Sequence, residues 1–236
     1  MDVFVIPVGR DRYELYCESS TDTAAVGDAP SSGVFARLWH RFRVLLQAAE
    51  ERQQRKDQAR ASQEEPEPGR ETFQDRIFAW MAQRIAEQRL LWNLRGETSA
   101  VVVHPQDMTF DQVMALVRRT LQHDYERHRR WMIIDGIALL LTSVFLGPLF
   151  LLVPGVANLP AAYFGFRTVG HWLSMRGAAQ GLHRVSWSGR PCPPLSELRD
   201  VVLLSPAARD ARLNDIARRL RLPRLSTFFE RVAVRA

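Results

Sequence analysis

Lysine is almost missing from this 236-residue chain: Lys56 is the only one. Its scarcity removes any Gly-Lys-Ser/Thr phosphate loop and leaves arginine to carry the positive charge. Cysteine is nearly as scarce. Cys17 and Cys192 lie far apart, which excludes a disulfide-dense scaffold and a four-cysteine zinc site. Charge of one sign does not dominate either. Thirty-two basic residues stand against 26 acidic ones, and the net +6 permits acidic partners without requiring them. The opening MDVFVIPV has Asp2 where a signal peptide carries positive charge, and no small-residue cleavage site before Gly9-Arg10-Asp11-Arg12. It is not arginine-rich and acid-free, as a transit peptide is. The expectation is that any membrane address is internal.

Apolar residues make up 46% of the chain, enough for a sizeable core in one domain or two small ones. One segment dominates. Gly136 to Phe166 holds 31 consecutive residues without a charge, above the threshold of about 18 for a membrane-spanning candidate. Pro148, Pro154 and Pro160 interrupt it, with Gly147 and Gly155 beside two of them. Proline removes a backbone donor and clashes with the preceding turn, so one straight helix is not expected. Asn158 ahead of Leu159-Pro160 has the form of a helix start. The reading is a Pro-broken helical hairpin: a first helix ending near Gly147, a second beginning near Leu159, and the apolar loop PLFLLVPGVAN between them.

The first helix, from Trp131, is slightly short for a hydrocarbon core of about 30 Å, and the loop is too apolar to emerge into water. Arg127, Arg129 and Arg130 precede the hairpin, while Arg167 and Arg176 follow it. Arginine on both sides places both ends on the positive, cytoplasm-like face. A membrane-inserted or re-entrant hairpin satisfies length, loop polarity and charge together. Irregular backbone at that depth needs protein partners, which predicts self-association or a membrane protein complex, with membrane lipids as the other partner. The competing reading is a hairpin buried inside a soluble protein, but this segment has almost no polar positions every three or four residues.

Around it the chain reads as α+β and mainly helical. Asp2–Val8 and Tyr13–Glu18 form a small N-terminal β-hairpin, and Thr98–Val103 is one further strand, closed by His104-Pro105. Amphipathic helices are expected over Val34–Arg60, Phe73–Leu94 and from Thr109, the last able to run into the hairpin. Ser19–Gly33 is a small-residue loop. Three parts follow: an N-terminal α/β part (1–130) with an acidic linker (61–70), the apolar hairpin (131–185), and a C-terminal region (186–236). The last opens on an Arg190-Pro191-Cys192-Pro193-Pro194 connector. Its short helices are expected near Leu195–Leu203, Pro206–Leu220 and Arg224–Val234.

Candidate chemistry is sparse. Asp135 is the only charged side chain in the apolar stretch once it is extended back to Trp131. It is a candidate for ion or proton handling, because a carboxylate there must have its desolvation compensated. Pairing with Arg129 or Arg130 at the interface is the plainer alternative. His123 and His128 are five apart, and His171 and His183 twelve apart; neither spacing is that of a zinc site, so the histidines read as surface or capping residues. Neither cysteine has a nucleophile motif. No enzyme, cofactor or metal site is expected. DIARRLRLPRLSTFFERV has the rhythm of a helix-turn-helix, but Arg221 stands at the turn, and Phe228 and Phe229 suit packing rather than base reading. No nucleic-acid partner is expected.

Four places in this order carry a resemblance: VFVIPV…YELYCE, the VVVHP strand end, GPLFLLVPGVANLPAAYFGFRTVGHW, and LNDIARRLRLPRL. On them the chain resembles the mitochondrial potassium–proton exchange-related proteins, a family with bacterial members. The resemblance implies a role in K+–H+ exchange within a membrane complex, but brings no site residues. With no transit peptide evident, it implies a bacterial member at the inner membrane, or the mitochondrial inner membrane in a eukaryote. One hairpin cannot enclose an ion path, since carriers are built from repeated bundles. The expected role is therefore an accessory or complex subunit. The alternative is a structural membrane adaptor or oligomerising protein with no transport role.

Overall fold

The computed structural model describes residues 1–9, 11–18, 90–152, 158–201 and 204–233. The loop expected over 19–33, the helix over 34–60, the linker 61–70 and residues 73–89 of the next helix lie outside them. Strands β1 (Asp2–Pro7) and β2 (Tyr13–Tyr16) pair antiparallel, with Val5 opposite Leu15. The turn is closed by Val8 N–H donating to Arg12 C=O at 2.9 Å. Strand β3 (Ser99–His104) joins β1 in parallel.

A fourth strand, β4 (Ser186–Pro191), pairs parallel to β3 along its whole length and completes the order β2-β1-β3-β4. Only a connector is expected from the residues around Arg190-Pro191. SWSGRP lacks alternation and holds Gly189 and Pro191, and tertiary pairing with β3 overrides that weak local preference. Such residues are tolerated at a sheet edge, where one side of the ladder needs no donors.

The alternation in β1 and β3 serves two cores. Phe4, Ile6 and Val103 face one way, with Val8 just past β1 on the same side. Against them pack α3 (Pro193–Val201), α4 (Pro206–Leu220) and α5 (Leu225–Ala233) through Leu195, Leu198, Leu213, Ile216, Leu225 and Phe229. Phe229 is fully buried and Phe228 rests on the Tyr16 ring at 4.7 Å, so the C-terminal aromatics pack inward. Arg221 takes the left-handed conformation that ends α4, with φ 57°.

Val5 and Val102 face the other way, onto α1 (Phe110–Leu152), α2 (Asn158–His183) and the helical residues 90–94. Helix α1 starts with a reciprocal cap: Thr109 N–H donates to the Gln112 side-chain oxygen at 2.9 Å, and Gln112 N–H donates back to Thr109 Oγ1 at 3.4 Å. At Gly177 of α2 the backbones come so close that an added Cβ would sit 1.6 Å from the Leu91 carbonyl oxygen. Beside it, Trp92 Nε1 donates to Ser174 Oγ at 2.9 Å.

Helix α1 is 43 residues long and passes through Gly147-Pro148 to Leu152, rather than ending near Gly147. Proline removes one helical hydrogen bond. An irregular apolar loop would strand many more backbone groups, so continuation is the smaller cost. The second helix begins at Asn158, one residue from the expected start. Among the described residues no helix is long and apolar enough to cross a membrane. A membrane-spanning helix is therefore not supported by the described residues. The described apolar part of α1 adjoins Arg127, Arg129 and Arg130 and carries Asp135, while in α2 Arg167 follows soon after Tyr163.

Candidate functional site

The α1–α2 pair has two zones. Near the sheet, Val113, Val117 and Leu121 of α1 and Leu173 and Ala178 of α2 belong to the core. Farther along α1, Ile133, Ile134, Ile137, Leu140, Leu141, Val144 and Phe145 are exposed, Phe145 by 75%. The site lies at the boundary between these zones.

Helical spacing builds it. His128, Trp131 and Asp135 stand at i, i+3 and i+7 on α1, and Tyr163, Arg167 and His171 at i, i+4 and i+8 on α2. Each set therefore shares one helix face. Asp135 is 2% exposed. Its Oδ2 accepts a hydrogen bond from Arg167 Nε at 3.1 Å and lies 3.4 Å from His171 Nε2. Arg167 Nη1 donates to the Tyr163 hydroxyl at 3.0 Å. The guanidinium also lies over the rings of Trp131, at 5.6 Å, and Tyr163, at 5.5 Å. This pairing across the hairpin replaces the expected contact with Arg129 or Arg130. Those two residues and Arg127 are exposed.

The other end of the chain of contacts is a pair of imidazoles. His128 Nδ1 and His171 Nδ1 are 2.8 Å apart, and their ring centroids 5.0 Å. The Trp131 ring lies nearly parallel to His171, tilted by 21°. Burial, then His171, then Arg127 push the His128 pKa down to about 3, so this ring is neutral at physiological pH. A short N···N contact holds one proton: one ring donates and the other accepts. If His171 Nε2–H points at the Asp135 carboxylate, its Nδ1 is the acceptor and His128 Nδ1–H the donor.

The histidines are therefore not all surface or capping residues. His128 and His104 are buried, and His171 is mostly so. His104 Nδ1 lies 2.9 Å from the Pro105 carbonyl. Sequence reasoning treated each histidine by its neighbours on the chain. The signal that joins His128 and His171 to Asp135 is the matching of helical faces on two helices. Among the described residues no group of three or more His, Cys, Asp or Glu side chains could hold a metal ion.

The remaining hairpin residues fall outside the cluster. Gly147 and Pro148 lie within the helical backbone of α1, Asn158 and Pro160 in the first turn of α2, and Pro154 and Gly155 outside the described residues. Arg176 is exposed and its guanidinium lies over the Trp172 ring at 5.3 Å. Trp131, Tyr163 and Trp172 are each more than a third exposed, with Arg167 over the first two rings and Arg176 over the third.

A family model described as mitochondrial K+–H+ exchange-related matches residues 2–185. It spans the β-hairpin, β3, α1 and α2, and stops before β4, so the LNDIARRLRLPRL helix lies beyond it. No curated protein and no solved structure matches the chain.

Proposed function

The chain belongs to the mitochondrial K+–H+ exchange-related family, and from that premise we propose that it is a membrane-associated accessory subunit of monovalent cation–proton exchange. The observation that carries this reading is the two-zone hairpin. An apolar face running from Ile133 to Phe145 begins just past Trp131, and Trp131, Tyr163 and Trp172 are exposed aromatics with two arginines over their rings. Large exposed apolar patches rimmed by polar groups mark interaction surfaces. Aromatic rings with arginine at the rim match the chemistry of a lipid headgroup boundary. The apolar end would enter the bilayer, with these aromatic and arginine side chains toward its surface. A single pair of helices has no room for an ion path, which supports a subunit role over a complete carrier.

The test is membrane fractionation of the full chain with an alkaline carbonate wash, beside a deletion of residues 136–166. Retention of the intact protein and release of the deletion support the reading. K+–H+ flux in vesicles with and without the protein and its co-purified partners then tests the transport half. A carbonate-soluble full chain, or fluxes unchanged by Asp135→Asn in a membrane-bound complex, overturns the corresponding half.

A further inference from the structure

We infer that His128, His171 and Asp135 form a binding site for a single exchangeable proton, which enters at His128 and is stored on His171 against the Asp135 carboxylate. The inference deepens the exchange-related reading by naming the ion that the hairpin binds. It rests on that reading for its purpose, but not for its chemistry.

Geometry gives the transfer between the rings. In the empty state Asp135 and Arg167 cancel in charge at 3.1 Å, both imidazoles are neutral, and one N–H lies between the two Nδ1 atoms 2.8 Å apart. An incoming proton forms a new N–H bond at His128 Nε2. The His128 Nδ1–H bond then breaks as a bond forms to His171 Nδ1. His128 is again neutral, in its other tautomer, and His171 is an imidazolium with Nε2–H toward Asp135 Oδ2 at 3.4 Å. One proton is gained and the cluster moves from zero to one positive charge. Release is the reverse.

The surrounding groups decide which ring keeps the charge. On α1, Arg127 acts against a charge on His128, and Asp135 faces His171. On α2, Arg167 opposes a second cation. Its Nε stays on the same Asp135 oxygen that faces His171, while its Nη1 is held by the Tyr163 hydroxyl and its plane by the Trp131 and Tyr163 rings. The Trp131 ring stands beside His171, nearly parallel to it with the centroids 6.5 Å apart. Among the described residues no carboxylate pairs with His128, and its burial penalises charge. The site thus has a conducting ring and a storing ring.

The experiment is a pH titration of the full chain labelled with 15N-histidine, read by long-range 15N–1H spectra. His128→Gln and His171→Gln variants provide the assignments. The expected result has three parts. A coupling across the N–H···N bond joins the two Nδ1 nuclei at neutral pH. On acidification His171 becomes the imidazolium, while His128 stays neutral and moves its proton from Nδ1 to Nε2 in the same step. Asp135→Asn lowers the proton affinity of His171 at least about tenfold. Charging of His128 first, independent titration without a tautomer change, or an unmoved His171 midpoint in Asp135→Asn overturns the proposal. Should Asp135→Asn fail to fold, judged by its helical circular dichroism, the coupling and the tautomer change in the unmutated chain decide. A tautomer change in a chain that carbonate releases from membranes would sink the membrane reading and leave the proton site standing.

Discussion

Asp135 of α1 and Arg167 of α2 stand 32 residues apart in sequence and 3.1 Å apart in the fold. They pin the hairpin where its buried half gives way to its exposed half. A carboxylate this buried depends on its partner, because removal of one charge leaves the other desolvated and unpaired. Arg167→Gln should cost about 3 kcal/mol of stability, at the low end for buried pairs because the guanidinium is partly exposed. Replacing both, as Asp135→Leu with Arg167→Met, should recover most of it. Chemical denaturation of the two single variants and the double variant closes the cycle. Additive losses would mean that the pair is not coupled.

His128 makes stability fall in acid. Its pKa is lowered in the folded chain to about 3 from an ordinary 6.5, first by burial and then by His171 and Arg127. The unfolded chain therefore binds more protons between those values, and stability rises with pH across that window. The contribution is fully present above 6.5 and is lost as pH falls toward 3, with a limiting slope of about 1.4 kcal/mol per pH unit. Melting temperatures measured across the window should drop steeply in the unmutated chain and less in His128→Gln. Equal slopes in both would place the acid sensitivity elsewhere.

One turn earlier on α1, Asp124 has the opposite sign. Burial, which outweighs the attraction of Arg127 and His123, together with repulsion from Glu14 raises its pKa from 3.8 to about 6. The folded chain now holds the extra proton. Its stabilising effect is complete below 3.8 and is lost as pH rises through 6. Asp124→Asn should therefore raise stability at neutral pH, by up to about 3 kcal/mol, and do little in acid. A variant that is less stable at neutral pH would show that the Arg127 attraction wins.

Two glycines test the packing. A Cβ at Gly177 would meet the Leu91 carbonyl at 1.6 Å, and backbone has to move to admit it. Nothing lies within 4 Å of a Cβ at Gly136. Gly177→Ala should destabilise by about 2–3 kcal/mol, as other overpacked sites do. Gly136→Ala should gain about 0.5–1 kcal/mol from helix propensity. Denaturant midpoints compare them directly, and a neutral Gly177→Ala would mean that the 90–94 segment does not rest on α2.

How much of this was legible depends on the range of the interaction. The β-hairpin, β3 and the Thr109 helix start follow from local alternation and capping, and the structure has them within two residues. Asp135 stands out because it is a lone carboxylate at the head of an uncharged run. Its meaning does not, because Arg167 and His171 reach it from another helix and read on the chain as a flanking charge and an isolated ring. Strand β4 was invisible for the same reason: SWSGRP has no strand pattern of its own and is held by β3. Pro148 misled because local chemistry breaks helices, whereas the cost of stranding apolar backbone extends this one to Leu152.

The exposed face of α1 gives the sharpest separation between fold and membrane. Leu140 and Phe145 are 64% and 75% exposed, so they support little of the core. Leu140→Ser with Phe145→Ser should change folding stability by less than about 0.5 kcal/mol per site, the ordinary range for surface positions. Transfer of the same side chains into lipid is another matter. Removing both should forfeit about 2 kcal/mol of partitioning, or roughly a 30-fold loss in vesicle binding. Vesicle co-sedimentation measured beside a urea unfolding curve separates the two effects. Unchanged sedimentation at unchanged stability would exclude this face as the membrane surface and leave it to a protein partner.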